Sequence, residues 1–491
     1  MPVRRMARGK VVTEGELAAA LLVTIPLLSA ILAFVLPAWA AAITLVTALT
    51  LNVLALLLNV AVNAHGEWDQ PIGGWETPLG ISWHVDGLAA VLLLVTAIIG
   101  LAGVVFQQAR PPTPTESDDP RLFWPLWLFL WLGLNALFLS ADLFNLYVTL
   151  EMVSLASVGL IAHANPRARS AAWRYLLATL LGSSLYLLGV ALLYGQQATL
   201  DLALLEADLA ADAVAAIAAG AITLGLLLKA AIFPLHFWLP AAHGRASPPV
   251  SAMLSALVVA AAYYLLLRLW TGPFVVLPST EVAVILGVLG TGAMFWGGAQ
   301  ALLQRHLKMV IAYSTISQLG LALVAFPLIL GNSGALSWNG TTLLLVTHGL
   351  AKAALFLAAG ALLLHRGRSR LDALPAPQSG TRLAWLAITL AAASLAGLPP
   401  TGGFFAKWWL ARAALETGAV GWLLVLLIGT ALSVAYLWRV LDVGISAAGT
   451  SPPPSRPRAT TVGGVALVLA ALACGLGLAA PHWPSLAGTP P

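Results

Sequence analysis

Residues 221–240 read AITLGLLLKAAIFPLHFWLP. A run of about 20 mostly apolar residues is the length that crosses a bilayer core about 30 Å thick. Two features set it apart from an ordinary span. Lys229 puts an ammonium near its middle, where a charge costs about 2.5–3.5 kcal/mol. Phe233-Pro234 then interrupts the helix, because proline lacks a backbone donor and clashes with the preceding turn. A broken helix at membrane depth survives only where protein or water satisfies the freed backbone groups. A second stretch repeats the pattern. Gly397-Leu398-Pro399-Pro400 and Gly402-Gly403 lie just before Lys407. Interrupted segments in corresponding places of two halves point to inverted repeats with a site at each break.

The rest of the chain agrees with a membrane protein. Only 9% of its 491 residues are charged, against about 25% in soluble domains. Hydrophobic residues make up 60%. This excludes a soluble enzyme, a nucleic-acid binder and a disordered protein. Short alternating segments of a β-barrel are missing, so the fold is read as all-α and polytopic. Fourteen spans are expected, near 15–37, 39–63, 85–107, 122–140, 142–163, 171–194, 213–233, 249–270, 277–299, 308–331, 339–364, 383–407, 418–440 and 460–480. The segments between them, including 64–84, 108–121, 195–212, 365–382 and 441–459, read as loops by their Pro, Gly, Asp and Arg content. The broken spans are numbers 7 and 12, five apart. The repeats are therefore spans 4–8 and 9–13, and an odd number of spans inverts the second copy. The expected units are 1–121, 122–270, 271–446 and 447–491. The basic N-terminus reads as the lead of an uncleaved first span. The lone Cys474 excludes disulfides within the chain, iron–sulfur clusters and a cysteine zinc site.

Basic residues set the expected topology. Loops after odd-numbered spans carry 15 of the 24, including Arg110, Arg121, Arg167, Arg169, Arg174, Arg245, Arg305, Arg366, Arg368, Arg456 and Arg458. Loops after even-numbered spans carry Arg268 and Arg412. The positive-inside rule then puts odd loops in the cytoplasm and both termini outside. The basic tail, with Arg4, Arg5, Arg8 and Lys10, argues the other way. Acidic residues gather in even loops, for example Asp201, Glu206, Asp208 and Asp212.

A few titratable groups remain inside the membrane: Glu151, Lys229, Lys352 and Lys407, with His348 one helical turn before Lys352. Buried charges of this kind mark ion or proton paths. A neutral histidine beside a lysine is a proton relay in the making. Each has a bland reading too: a static Glu151–Lys229 salt bridge, a snorkelling Lys352, an interfacial Lys407 near a span end, a satisfied core His348. A unit pair about 4 Å apart at an effective dielectric near 20 is worth roughly 4 kcal/mol. That is comparable to the roughly 2.3 kcal/mol that 100 mV supplies per charge.

Five stretches together resemble a known family: FNLYVTLEMVSLASVGLI (144–161), KAAIFPLHFWLPAAH (229–243), LKMVIAYSTISQLG (307–320), HGLAKAALFLAAG (348–360) and GLPPTGGFFAKW (397–408). They resemble the antiporter-like proton-translocating subunits shared by respiratory complex I, membrane-bound hydrogenases and Mrp-type cation/proton antiporters. The stretch GGWETPLGISWHVDGLA (73–89), with SADLFNLYV (140–148), looks most like the D-type subunit of the Mrp antiporters. The sequence ends soon after span 14, unlike the family members with a long C-terminal extension. The resemblance implies that Glu151 and Lys229 are the ion pair of a first half-channel. It implies that His348 and Lys352 form the central polar axis, and that Lys407 serves the second half-channel. Lys308 matches a basic position at the start of span 10, and His236 a histidine after the span-7 break. Asp142, His236, His243 and Lys308 are the accessory positions. One position departs: where the family commonly has a lysine or histidine in span 8, this chain has Ala260. Water, Tyr263, Tyr264 or His243 is then required to bridge the path.

The implied partners are other membrane subunits of a multisubunit complex, the bilayer and protons, with Na⁺ or K⁺ as candidate exchanged ions. No cofactor or metal is implied, and the implied place is the inner membrane. Other readings stay open: a subunit of complex I, of a hydrogenase or of an inorganic-carbon uptake complex, a stand-alone solute transporter, or a non-conducting scaffold.

Overall fold

The computed structural model describes residues 3–110, 121–331, 334–366, 369–378, 380–446 and 457–488. Arg368 and Arg456 lie outside them, as do the side chains of Arg4, Arg5, Arg8, Lys10, Arg366 and Arg458. Among the described residues, eleven helices are long and apolar enough to cross a bilayer. Three shorter apolar helices, Phe123–Leu139, Ala213–Lys229 and Arg382–Ala396, fall at spans 4, 7 and 12. Each of the fourteen expected places thus holds a helix. Spans 8 (Pro248–Thr271) and 11 (Gly334–Leu364) are buried along their apolar lengths and form the middle of the molecule. Spans 1, 2 and 13 turn large apolar side chains such as Leu28, Val46 and Leu424 outward, as lipid-facing helices do.

The two five-span sets pack in the same order. Span 4 lies on span 5, span 5 on span 6 (Arg169–Gln197), and span 6 on span 7. In the second set, span 9 (Ser279–Leu303) lies on span 10 (Leu307–Leu323), span 10 on span 11, and span 11 on both halves of span 12.

The structure adds elements at two expected loops. Within 64–84, strand β1 (Trp68–Pro71) pairs antiparallel with β2 (Ser82–Val85), with Trp68 opposite Val85 and Asp69 opposite His84. Within 195–212, a short helix Leu202–Asp208 starts at Asp201, whose carboxylate accepts from the Ala203 and Leu204 amides. Capping also explains the acidic bias of the even loops. Asp86, Asp142 and Asp212 cap spans 3, 5 and 7, each accepting from an amide three residues on at 2.8 Å. A carboxylate there satisfies an orphan donor and meets the positive end of the helix dipole.

The two breaks have the same backbone design. Span 7 stops at Lys229, and span 12 pauses at Ala396. At the first, the Ile232 amide donates to Leu227 O (3.1 Å) and the Ala231 amide to Leu228 O (3.2 Å). At the second, the Leu398 amide donates to Ala393 O (2.9 Å) and the Gly397 amide to Ser394 O (3.0 Å). Both are Schellman terminations, which need a left-handed residue just past the helix. That residue is Gly397 (φ 77°) in one and Ala231 (φ 54°) in the other. A side chain from beyond each break also bonds an end carbonyl, the already engaged Leu228 O in the first and the further Leu395 O in the second. Trp238 Nε1 donates to Leu228 O (2.9 Å), and Lys407 Nζ to Leu395 O (2.7 Å). These carbonyls freed by the breaks are thus bonded inside the protein, as membrane depth requires.

The left-handed conformation costs a non-glycine residue about 1–2 kcal/mol. Ala231→Gly is therefore expected to raise the unfolding midpoint in detergent. Gly397→Ala is expected to lower it, since its Cβ would also press on the Lys407 chain. Thermal unfolding followed by size-exclusion fluorescence checks both signs.

Candidate functional site: a buried line of lysine and histidine

The first cluster joins spans 5, 6 and 7. Lys229 Nζ lies 3.4 Å from Glu151 Oε1. Its shorter bonds go to Thr179 Oγ1 (2.8 Å) and Ser154 Oγ (3.0 Å). Ser183 donates its hydroxyl to Glu151. The ammonium is thus shared between two hydroxyls and a carboxylate rather than clamped by the carboxylate. Span 6 approaches this closely because Gly182 faces the Gly225 carbonyl and the Lys229 chain, where a Cβ would collide. A cavity of about 10 Å³ beside Lys229 reaches from Ser154 and Thr179 to Trp238 and Val258. That is room for about one water.

Val258 belongs to a π-helical turn, Leu254–Val258, in span 8. Such turns are rare and cluster at functional sites. The turn faces the central axis. Ser255 Oγ meets Thr315 Oγ1 of span 10 at 2.7 Å, and Gly349 of span 11 packs on the Ala256 carbonyl. Ala260 follows the turn and is buried.

The axis itself crosses spans 10 and 11. Lys352 is fully buried; it donates to Ile311 O at 3.0 Å and to the Ser314 hydroxyl. His348 lies one turn away on the same helix, against the Ser255 backbone and within electrostatic reach of Lys352 and Lys407. Neither of its ring nitrogens has a well-formed hydrogen bond. His243, beyond the span-7 break, is in the same condition. It stacks on Phe356 with ring centres 4.8 Å apart, and it lies within electrostatic reach of Lys308 and Lys352. Lys308 donates to Ala246 O.

Span 12 corrects one placement. Lys407 was expected near a span end, but a second half-helix, Gly402–Glu416, carries the span onward. Thr401 restarts it by accepting from the Phe404 amide. Lys407 therefore sits inside that half-helix, buried against the first half.

Other positions stand off the line. His236 faces span 9, accepting from Trp296 Nε1 at 2.9 Å. Asp142 is engaged as a helix cap. Tyr263 and Tyr264 donate to the Ala322 and Phe138 carbonyls, at 3.0 and 3.2 Å. Arg268 is the clearest departure from the sequence reading, which counts it as a loop charge. It lies in the last turns of span 8 and pairs with Asp86, while its Nε donates to Tyr264 OH. Its partner is 182 positions away in the chain, so no local pattern announces the pair. The hydroxyls around Lys229 were also not foreseen. One signal was present: Ser154 stands three residues after Glu151, on the same helix face.

Outside the membrane, His84 Nδ1 and Asp69 Oδ1 meet at 2.8 Å across the β1–β2 hairpin. The hydrogen bond to Asp69 raises the His84 pKa above its usual value, and the same bond lowers that of Asp69.

The transmembrane family described as NADH:quinone oxidoreductase/Mrp antiporter matches residues 140–433. The chain is 36% identical over 383 residues to the N-type subunit of NADH-quinone oxidoreductase from Desulforudis audaxviator, covering 76% of this chain and 75% of that one. It is 30% identical over 365 residues to the D-type subunit of the Na(+)/H(+) antiporter from Alkalihalophilus pseudofirmus, covering 73% and 72%. A chain of the Mrp complex from Dietzia sp. DQ12-45-1b superposes with a TM-score of 0.85 at 26% identity, over 96% of each. The chain belongs to the NADH:quinone oxidoreductase/Mrp antiporter family of multi-pass membrane proteins.

Breaking a buried ion pair by removing one partner costs about 3–5 kcal/mol. Arg268→Leu and Asp86→Leu should each lower the unfolding midpoint sharply, and the double variant less than the two losses added. A thermal double-mutant cycle checks this. The His84–Asp69 contribution is full below the ordinary histidine value of 6.5 and is lost as pH rises through the raised His84 value. On the acid side it is lost as Asp69 is protonated, below the ordinary carboxylate value of 3.8. NMR titration of His84 should give a midpoint above 6.5, which Asp69→Asn brings down.

Proposed function

We propose that this chain is the proton-translocating, D-type subunit of a multisubunit Mrp-type Na⁺(K⁺)/H⁺ antiporter. One observation carries the proposal. Buried lysine and histidine groups run from Glu151–Lys229 to Lys352, His348 and Lys407, with His243 and Lys308 beside Lys352 and with hydroxyls and one small cavity among them. A solute transporter would gather such groups at one central site instead.

In the proposed mechanism, a proton reaches Lys229 from a first half-channel. Glu151 stabilises the ammonium. When the pair opens, the ammonium in a dry interior loses its counter-charge and yields its proton. Transfer towards Lys352 passes the π-helical turn of span 8, with water in place of the side chain that Ala260 lacks. His348, whose ring nitrogens make no well-formed hydrogen bond, relays between Lys352 and Lys407. Lys407 serves the second half-channel. The exchanged cation travels elsewhere in the complex. Units 122–270 and 271–446 act as the two half-channel repeats, flanked by 1–121 and 447–491. The complex lies in the inner membrane, with both termini on the non-cytoplasmic side, and the chain acts in transport rather than as an enzyme.

The partners are other membrane subunits of such a complex. A second reading, a subunit of a quinone-reducing complex, is favoured by the 36% identity to the N-type oxidoreductase subunit. The polypeptides that copurify separate the two: small antiporter subunits or quinone-site and iron–sulfur subunits.

Glu151→Gln is expected to cut proton flux in inverted vesicles by about tenfold or more, the effect of about 1.4 kcal/mol on a barrier. Lys229→Ala should do the same. Unchanged flux with both variants sinks the mechanism.

A further inference from the structure

A cavity of about 940 Å³ opens on the face where the loops after odd-numbered spans gather. Its wall carries Arg110, Arg167, Arg174, Arg245, His306 and Lys308, drawn from separate loops and the span ends beside them. Among the described residues, no carboxylate lines it. That composition is unlike the other exposed basic sites. Arg370 pairs with Asp372 and Arg412 with Glu416. Arg167, Arg174 and Arg245 have no such partner among the described residues.

Two long helices also begin at this wall. Ser170 and Ala171 open span 6, and Lys308 and Met309 open span 10. Helix N-termini bring partial positive charge to the same space. Like charges around one cavity repel unless an anion sits between them. Arginine forks match phosphate geometry in particular. The floor has chemistry as well: Lys308 is buried there, and His243 lies within its electrostatic reach.

We infer that this cavity is a binding site for a phosphate-bearing anion, either an anionic lipid headgroup or free phosphate, seated at the Lys308 end of the buried line. Basic pockets between spans on the cytoplasmic side hold lipid headgroups in this way. The inference does not depend on the transport reading, because binding is measured without flux.

The test uses the full chain with its copurifying subunits in nanodiscs of zwitterionic lipid. Two probes are titrated by ³¹P NMR, inorganic phosphate and a short-chain phosphatidylglycerol. Binding that weakens with added salt is expected. R167Q/R174Q/R245Q should weaken it by about tenfold or more, as loss of charge-assisted bonds requires. R167K/R174K/R245K, which keeps the charge but loses the arginine fork, should bind between wild type and the glutamine variant and guards against a folding defect. Binding of the lipid alone assigns a headgroup site, and competition by phosphate assigns a free-anion site. Equal binding by wild type and the glutamine variant overturns the inference, as does binding of neither probe. E116Q/D118N/D119N tests the acidic stretch that follows Arg110 in sequence. Unchanged affinity supports an external anion, and a large gain makes that stretch the occupant and overturns the inference.

Discussion

A bilayer core offers an ammonium no hydrogen bonds, so each lysine inside it must be solvated by the protein. The structure meets this demand with oxygen for Lys229, Lys352 and Lys407, and holds Lys308 at the start of span 10 in the same way. Lys229 takes two hydroxyls and a carboxylate. Lys352 takes a hydroxyl and the Ile311 carbonyl, Lys407 the Leu395 carbonyl, and Lys308 the Ala246 carbonyl. Only the first of these sets includes a carboxylate. Among the described residues, the others bind their Nζ through neutral hydroxyl and carbonyl dipoles.

That demand and the broken helices are two sides of one design. A break frees carbonyls at membrane depth, and freed carbonyls are what buried cations need. At span 12 a single bond serves both, since Lys407 covers the end of the half-helix that precedes it. At span 7 the tryptophan Trp238 takes the covering role, and Lys229 is left to hydroxyls and Glu151. The repeats share a backbone motif and differ in which side chain closes it.

Span 8 shows how a missing side chain is read differently in sequence and in space. Ala260 removes a titratable group from the expected path. The structure places a π-helical turn just before it, with Ser255 on Thr315 and a small cavity running to Lys229. A π turn shifts which residues face a neighbour, so alignment by simple spacing loses its meaning there. Tyr263 and Tyr264, attractive as bridges in sequence, spend their hydroxyls on backbone carbonyls.

Much was legible in the sequence by itself. Apolar run length marks fourteen places that each hold a helix, eleven of them, among the described residues, long enough to cross a bilayer. Proline and glycine mark both breaks, because their backbone effects are local. Rare charges among apolar residues single out Glu151, Lys229, His348, Lys352 and Lys407, because burying a charge is too costly to be casual. What only the tertiary structure decided is pairing over long distances. Asp86 finds Arg268, hydroxyl groups from several spans converge on Lys229, Glu151 and the π turn, and the arginines of separate loops ring one cavity. Loop arginines show in sequence which side they lie on, but neither they nor the hydroxyls show which partners they meet. Their meaning comes from which helices meet, and that is fixed by packing.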